Sequence, residues 1–245
     1  MNGLGLAPPK QDGPAGSVPA ACRPAGAHFN MEGAQGVERV GILGGTFNPV
    51  HLGHLLIAHA VAEALGLDRV LLMPSAHPPH KLSGILATGD ERLEMVRLGI
   101  AGDPLLDVCT QELDRGGVSY AVDSMRAFRE RHPGCAPHFI IGMDSLRELH
   151  TWRRVDELLD LCAFVTVDRP GVDRPVRPAE LPLPAPWPER LLAGIVPVRT
   201  WEVSSTEIRR RIAAGLTIRY LVPPAVEAFI RTRGLYRTKD REDND

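Results

Sequence analysis

Two histidines that are three residues apart lie in a glycine-rich stretch whose residue types suit phosphate binding. The stretch, residues 44–55, reads GGTFNPVHLGHL and lies between two apolar runs. Glycines leave the backbone open to a bulky anion because they carry no Cβ atom. His51 and His54 fall at the predicted start of a helix, where both rings can lie on one side and donate hydrogen bonds to phosphate oxygens. The unpaired N–H groups and partial positive charge of a helix start would add to that attraction.

A simpler explanation of the same stretch is a tight turn that happens to contain two ordinary histidines. Taken alone, the stretch favours neither explanation. A zinc site fits less well, because no third Cys or His ligand is evident in the sequence. The Gly-Lys-Ser/Thr signature of a P-loop is also missing.

A second stretch, residues 203–212, reads VSSTEIRRRI and begins another predicted helix. Ser204 and Glu207 have the spacing of a capping box, which by itself would be a structural feature only. A guanidinium four residues after a serine lies on the same side of the helix as that serine. The further groups that could reach a phosphate there belong to Ser205, Thr206 and Arg209.

Two more loops follow predicted strands and carry polar groups. In FIIGMDSL, Gly142 ends a strand and Asp144 begins a helix, where its carboxylate could cap the helix or accept hydrogen bonds from ribose hydroxyls. In MPSAHPPHK, a Pro-Pro pair precedes His80 and Lys81. The last loop, taken alone, is explained more simply as a solvated basic loop.

Alternating apolar runs and helical patterns fill the chain from residue 37 onwards. Strands are predicted at residues 40–43, 69–73, 105–113, 138–141, 163–167 and 195–198, and helices at 55–67, 91–100, 119–131, 155–161, 204–214 and 223–233. Asp90 is the predicted cap of the second helix, and residues 169–188, which are rich in proline, are predicted to be irregular.

This order predicts an α/β fold: a Rossmann-like, doubly wound parallel sheet of about six strands with helices on both faces. Such sheets bind ligands at the carboxyl ends of their strands. The four loops described above follow the first, second, fourth and sixth strands, so we expect them to meet at one edge of the sheet. Their coincidence there favours a ligand site over four unrelated turns.

The ends of the chain differ from its middle in composition. Residues 1–36 are rich in Gly, Ala and Pro without periodicity, and we expect a disordered leader. Residues 37–237 are expected to form one domain, and residues 238–245 a flexible acidic tail.

The bulk composition argues against several classes of protein. The formal net charge of -2 gives no overall positive field of the kind that attracts nucleic acid. No apolar run approaches the ~20 residues that a membrane span needs. The four cysteines are far apart and form no CxxC pair, which argues against dense disulfides and favours the reducing cytoplasm. We therefore expect a cytoplasmic protein without a nucleic-acid or membrane partner, and the sequence leaves a homo-oligomer open.

At these motifs the chain resembles the bacterial nicotinate-nucleotide adenylyltransferases of the nucleotidyltransferase superfamily. Residues 51–54 match the T/HxGH motif of that superfamily, and residues 203–209 match its ISSTxxR-like motif. The resemblance extends over residues 38–237, in the order GGTFNPV at 44–50, PPHK at 78–81, SY at 119–120, GMDSL at 142–146, TW at 151–152 and GLY at 234–236.

The resemblance implies transfer of the adenylyl group of ATP to nicotinate mononucleotide, with Mg²⁺ bound mainly through the ATP phosphates and no dedicated metal-binding residues. The catalytic residues it implies are His51, His54, Lys81 and Arg209. The ATP-binding residues are Gly44, Gly45, Thr46, Phe47, His51, His54, Gly142, Asp144, Ser204, Ser205, Thr206 and Arg209. The mononucleotide-binding residues are Ser75, Lys81, Ser119, Tyr120, Ala121, Trp152 and Arg153.

Five positions depart from the family pattern. Asn48 replaces a frequent Asp, and Val203 replaces Ile. The other three lie near the expected mononucleotide pocket and bear on the choice of acceptor: Ser75, where Asn is common, Ala121, where Thr is common, and Arg153, where an aromatic residue occurs.

Three alternative functions remain at this stage. The acceptor could be nicotinamide mononucleotide or phosphopantetheine, the fold could serve a nucleotide sensor without catalysis, or the chain could bind nucleic acid. The two histidines and Arg209 argue against the sensor, and the charge balance argues against nucleic acid.

Deletion of residues 1–36 is expected to leave the melting temperature and the turnover unchanged, because this segment has too few apolar residues to contribute to a core. Thermal unfolding and steady-state rates of the truncated and full chains test this. A large drop in either quantity would show that the leader docks on the domain.

Overall fold

Six short apolar runs form a single parallel sheet in the computed structural model, which describes residues 37–77, 87–168, 176–198 and 202–237. The strands are β1 (Glu38–Gly45), β2 (Arg69–Pro74), β3 (Leu106–Val108), β4 (Cys135–Gly142), β5 (Ala163–Asp168) and β6 (Ile195–Pro197). Their order across the sheet is β3-β2-β1-β4-β5-β6, and every neighbouring pair is parallel. The predicted doubly wound α/β fold is therefore confirmed.

Nine α-helices connect and flank these strands within the described residues. They are α1 (Leu52–Leu65), α2 (Gly89–Ile100), α3 (Gln111–Arg115), α4 (Ala121–Arg131), α5 (Met143–Glu148), α6 (Val155–Leu161), α7 (Trp187–Ala193), α8 (Ser205–Ala213) and α9 (Pro224–Arg233). Short 3-10 turns span Leu149–Thr151 and Pro178–Glu180.

Two apolar cores lie on opposite faces of the sheet, because successive side chains of a strand point to opposite sides. Ile42 and Phe139 pack in the core that contains α4, α5 and α6, whereas Leu43 and Ile140 pack in the core that contains α1, α2, α8 and α9. Both faces of the sheet are thus covered by helices, as expected for buried parallel strands.

The strand order reverses at β1, since the chain first adds β2 and β3 on one side of it and later adds β4, β5 and β6 on the other. At such a reversal, the loops that follow two neighbouring strands run in opposite directions. A crevice opens between these loops. Leu43 pairs with Ile140 and Gly45 with Pro74, so the carboxyl ends of β1, β2 and β4 lie at one level of the sheet.

The predicted strand at residues 105–113 was too long. β3 ends at Val108, and residues 111–115 form α3 instead. The Thr110 hydroxyl donates to the Asp114 carboxylate over 2.8 Å, and Gln, Glu, Leu and Arg in this segment favour a helix. The apolar residues at both ends of this stretch suggested one continuous strand, although they belong to two elements.

Several helices differ from the sequence-based prediction. α1 begins at Leu52, with His51 as its N-cap, three residues before the predicted start. The cap of α2 is Thr88 rather than Asp90, because Thr88 and Glu91 form a reciprocal capping box. α7 was not predicted; its only signal is Pro188 in the first turn followed by good helix formers.

Several sequence-based expectations fall outside the described residues. These are the leader at 1–36, the tail at 238–245 and the loop that contains Lys81. In the part of the chain that is described, no helix is long and apolar enough to cross a membrane.

Candidate active site

The loop between β1 and α1 carries the two histidines, and it is folded tightly. Phe47 is buried with a φ of 47°, in the left-handed region that few non-glycine residues adopt. Its ring meets the His54 ring edge-on, with 4.9 Å between the ring centroids. Gly44 and Gly45 end β1 just before this loop, and Thr46 begins it. The loop therefore returns onto the first turn of α1.

His51 and His54 stack on each other at the N-terminus of α1. Their ring centroids are 3.6 Å apart and their planes are inclined by 23°. The backbone N–H of His51 donates to His54 Nδ1 over 3.2 Å. Because Nδ1 accepts this hydrogen bond, the proton of the neutral His54 ring lies on Nε2, which can donate to a ligand.

Gly53 permits this stack because the His51 ring lies over its Cα atom. A Cβ atom at residue 53 would stand 3.0 Å from His51 Nδ1 and 3.1 Å from Cε1. His51 Nδ1 is itself buried and has no hydrogen-bond partner among the described residues. The glycine of the His-Leu-Gly-His segment thus has a steric role rather than a role in flexibility.

Burial keeps both histidines neutral. It lowers the pKa of His51 to about 4. Burial also lowers the pKa of His54 well below its usual value, and the neighbouring His51 adds to that shift. At pH 7 each ring is therefore uncharged and carries one N–H donor, so any positive charge in the site must come from other groups.

The second predicted phosphate-binding stretch is joined directly to this loop. The Ser205 hydroxyl donates to the Pro49 carbonyl oxygen over 2.8 Å, and Arg209 Nη1 donates to the Asn48 carbonyl oxygen over 2.8 Å. Arg209 Nη2 also lies 3.2 Å from the Thr206 hydroxyl oxygen. The N-termini of α1 and α8 thus meet beside β1.

Ser204 caps α8, but the capping box that its spacing suggested is only half formed. The Ser204 hydroxyl oxygen accepts from the Glu207 N–H over 3.1 Å. The Glu207 carboxylate forms an ion pair with Arg210 at 2.8 Å, and this pair lowers the pKa of Glu207. Glu207 therefore pairs within the helix, while Arg209 turns towards the histidine loop.

Two residues that sequence reasoning gave no role support the same loop. The Tyr236 hydroxyl donates to Asn48 Oδ1 over 2.7 Å, and the backbone N–H of Ala87 donates to the same oxygen over 3.1 Å. Arg92 Nη1 donates to the Thr46 carbonyl oxygen over 2.8 Å. The sequence feature that could have pointed to Arg92 is its position on the apolar face of α2, one turn before Met95 and Val96.

The residues predicted to bind the mononucleotide form a second group beside β2. The Ser75 N–H donates to the Gly45 carbonyl oxygen over 2.9 Å, which extends the pairing of β1 with β2. The Ser119 hydroxyl oxygen accepts from the Ala76 N–H over 3.0 Å, next to Tyr120. Ser75 and Ser119 are both buried. This links the start of α4 to the end of β2.

Arg153 and Tyr120 form the outer part of this second group. The Arg153 guanidinium lies 4.6 Å from the centroid of the Tyr120 ring, in the geometry of a cation–π contact, and its Nη1 is 3.8 Å from the Asp123 carboxylate. Ala121 begins α4 directly after Tyr120. Arg153 is exposed, so its remaining donors face solvent.

Three further predicted residues follow β4. Gly142 is the N-cap of α5, and Asp144 is exposed in the first turn of that helix. The Trp152 ring packs against Phe139 in a T-shaped arrangement, with 6.2 Å between centroids. Lys81 lies outside the described residues, and its position relative to these groups stays a prediction.

The unfolding free energy is expected to fall as the pH drops from 6.5 towards 4. The unfolded chain takes up protons on His51 and His54 in this range, whereas the folded chain does not, because its histidine pKa values are lowered. The stability contributed by the neutral rings is therefore complete above pH 6.5 and is lost on acidification.

Urea unfolding at pH 7 and pH 5 tests this expectation in the parent and in His51→Asn, which keeps a side chain that can cap a helix but does not titrate. The loss between the two pH values should be smaller by ~1–2 kcal/mol in the variant. An equal loss in both proteins would mean that His51 titrates normally in the folded state.

Comparison with known proteins finds one matching family and several similar curated relatives. Residues 42–211 match the cytidylyltransferase-like family. A probable nicotinate-nucleotide adenylyltransferase of Thermus thermophilus is 44% identical over 201 residues, which cover 81% of this chain and 100% of the relative. The probable nicotinate-nucleotide adenylyltransferase of Lactiplantibacillus plantarum is 42% identical over 203 residues, which cover 83% of this chain and 90% of the relative.

A solved structure shares the fold at lower sequence identity. The Plasmodium falciparum nicotinic acid mononucleotide adenylyltransferase complexed with NaAD superposes with a TM-score of 0.63 and 16% identity, covering 81% of this chain and 97% of that one. The chain matches its curated relatives over nearly their whole length at 40% identity or more. It therefore belongs to the nicotinate-nucleotide adenylyltransferase family, within the cytidylyltransferase-like nucleotidyltransferases.

Proposed function

We propose that this chain transfers the adenylyl group of ATP to nicotinate mononucleotide, which yields nicotinate adenine dinucleotide and pyrophosphate. The observation that carries the proposal is the meeting of two helix N-termini, with His51 and His54 on one and Arg209 on the other, in a chain whose relatives are named for this activity. Helix N-termini attract phosphate, and this reaction requires several phosphates to be held side by side.

The chemistry needs no general base from the protein. The attacking group is the phosphate of the mononucleotide, whose second pKa of about 6 leaves it mostly dianionic at neutral pH. Its oxygen forms a bond to the α-phosphorus of ATP as the bond from that phosphorus to the β-phosphate bridging oxygen breaks. The electron pair leaves with pyrophosphate, so catalysis is a matter of positioning and of stabilising charge.

The neutral histidines suit the role of hydrogen-bond donors. A group with a pKa of about 4 stays uncharged near neutral pH, so His51 can donate from an uncharged ring. We assign the Nε2–H of His54 to an oxygen on the α-phosphorus, where charge develops in the transition state. Positive charge for the remaining phosphates comes from Arg209 and, in our proposal, from Lys81.

The rest of the ATP site is assigned by position. The β1–α1 loop supplies backbone N–H groups for the phosphates, the start of α8 supplies hydroxyls, and Asp144 accepts from the ribose. The assigned residues are Gly44, Gly45, Thr46, Phe47, Gly142, Asp144, Ser204, Ser205 and Thr206. The Ser205 hydroxyl already donates its proton to Pro49, so it cannot also donate to a phosphate, and Ser205 is assigned through its place at the N-terminus of α8.

Mg²⁺ is proposed to enter bound to the ATP phosphates. It prefers octahedral oxygen coordination and often keeps several water ligands, so phosphate oxygens can hold it with little help from protein. Among the described residues, no group of three or more His, Cys, Asp or Glu side chains is arranged to hold a metal. We assign it to the ATP phosphates.

The acceptor site is assigned to the group beside β2. The N-terminus of α4 at Tyr120 and Ala121 offers backbone N–H groups, and Arg153 adds a cation at the same place. Donors without an opposing acceptor favour a carboxylate, since a carboxamide would turn its own NH₂ towards one of them, at a cost of ~1–3 kcal/mol. Ser75, Lys81, Ser119 and Trp152 complete the assigned set.

A panel of acceptors tests this function. With ATP and Mg²⁺, we expect the highest kcat/KM for nicotinate mononucleotide, a lower value for nicotinamide mononucleotide and none for phosphopantetheine, each followed by pyrophosphate release. His54→Ala should lower turnover with every acceptor by ~10²-fold, the usual effect of losing one transition-state donor.

Each failure of this panel has a distinct meaning. An equal or higher kcat/KM with nicotinamide mononucleotide would overturn the preference for the acid and leave adenylyl transfer intact. ATP binding without pyrophosphate release from any acceptor would replace the enzyme with a nucleotide sensor. Normal turnover in His54→Ala would make the histidine stack a structural feature.

The substitution Gly53→Ala tests whether the position of the His51 ring matters for turnover, without weakening helix α1. Alanine is the better helix former by ~1 kcal/mol, so the change favours α1 itself. The new Cβ atom would displace the His51 ring, which cannot tilt freely because it stacks on His54. We expect turnover to fall by ~10-fold or more while the melting temperature stays within a few degrees of the parent. Retention of full turnover would mean that the ring position is not critical.

A further inference from the structure

Arg92 is a buried cation that contacts three separate segments of the chain. Arg92 is only 4% exposed and lies on the face of α2 that packs against the sheet. Nη1 donates to the Thr46 carbonyl oxygen over 2.8 Å, Nη2 to the Ala76 carbonyl oxygen over 3.2 Å, and Nε to the Ala87 carbonyl oxygen over 3.3 Å. One guanidinium thus joins the loops after β1 and β2 to the residue before the cap of α2.

The charge of Arg92 has no carboxylate partner in the described part of the chain. Its three hydrogen bonds go to backbone carbonyls, and burial lowers the pKa of the guanidinium. Burying an unpaired charge is costly, and a core position of this kind would ordinarily hold an apolar residue. The cost of burying the Arg92 charge suggests that the guanidinium is retained because of the backbone segments that it contacts.

In the proposed reaction, Arg92 contacts one loop that binds ATP and another loop that binds the acceptor. Thr46 follows Gly45 in the loop assigned to the ATP phosphates. Ala76 follows Ser75, and its N–H donates to the Ser119 hydroxyl in the group assigned to the acceptor. The distance between these two loops sets the distance between the attacking phosphate and the α-phosphorus, and such distances strongly affect the rate.

We propose that Arg92 is a positioning residue that holds the ATP loop at Thr46 and the acceptor loop at Ala76 in a fixed relation to each other. This inference rests on the proposed function. The peptide planes add a reason for the choice of contacts: a trans peptide directs its N–H opposite to its carbonyl, so an Arg92 bond to the Thr46 oxygen orients the Phe47 N–H away from α2. Arginine is required because only a planar fork with donors on three nitrogens reaches three carbonyls at once.

Arg69 offers a matched control. It is the first residue of β2, at the end of the strand remote from the proposed site, and its guanidinium pairs with Glu38 at 2.7 Å. Arg69→Met removes an arginine and its polar contact from a strand of the sheet without touching either loop. It therefore reports what general destabilisation does to the kinetics.

The experiment compares Arg92→Met, Arg92→Lys and Arg69→Met with the parent, at a temperature well below all melting temperatures. In Arg92→Met we expect the KM values for ATP and for the acceptor both to rise by about tenfold or more, since both loops lose their common anchor. Arg92→Lys keeps the charge but has a single nitrogen, so it should give a smaller rise in both values. Arg69→Met should change neither value by more than about twofold, even where it lowers the melting temperature.

The outcomes separate the inference from the function on which it rests. KM values within about twofold of the parent in Arg92→Met, with only a lower melting temperature, would make Arg92 a purely structural residue. If Arg92→Met does not fold, unchanged KM values in Arg92→Lys would overturn the inference equally. A rise in the KM of one substrate alone would refute the coupling of the two loops. A parent protein without turnover would overturn the proposed function instead.

Discussion

The need to satisfy the buried backbone polar groups of residues 46–52 organises the whole site. This loop runs between a strand and a helix and cannot pair its own carbonyl groups, and unpaired polar groups away from water are strongly disfavoured. Four of these groups instead find a partner in a distant segment. Arg92 binds the Thr46 carbonyl, Arg209 the Asn48 carbonyl and Ser205 the Pro49 carbonyl, while the Leu52 N–H donates to Leu221. The loop is thereby held by three separate segments of the chain.

This arrangement explains why structural and proposed chemical roles overlap in the same side chains. Arg209 is assigned to the triphosphate, and it also supports the Asn48 carbonyl next to the histidine stack. Tyr236, near the end of the described chain, donates a hydrogen bond to the Asn48 side chain. This contact links the segment after α9 to the loop between β1 and α1. Because a hydrogen bond of this kind contributes ~1 kcal/mol, the rigidity of the loop comes from their number and not from any one of them.

The electrostatic design follows from the same packing. Burial removes the charge from both histidines, so they stack at 3.6 Å without repulsion and keep N–H groups for a ligand. Positive charge is supplied by arginines, whose guanidinium groups stay charged even when buried. In the proposed reaction, the neutral histidine donors lie where a bond is made and broken, and the arginine cations lie around them. Such a distribution suits a reaction in which negative charge moves from one phosphate to the next.

The sequence by itself determined the fold class, the sheet edge that carries the site and the two motifs that form it. These features depend on local pattern: apolar runs and helical spacing decide the elements, and parallel strands bring their carboxyl ends together whatever the details of packing. The local pattern failed where two elements follow each other without a break, as at Thr110, and where a cap competes with a nearby acidic residue, as at Thr88.

Only the tertiary structure decided what holds the site. The contacts of Arg92 with Thr46 and of Tyr236 with Asn48 join residues that are 46 and 188 positions apart, and nothing in their neighbouring sequence specifies the partner. The neutral state of His51 is likewise a consequence of burial, which spacing does not reveal. Residue types and their spacing indicate which chemical groups are present at the site. Their hydrogen-bond partners and pKa values depend on how the helices pack over the sheet.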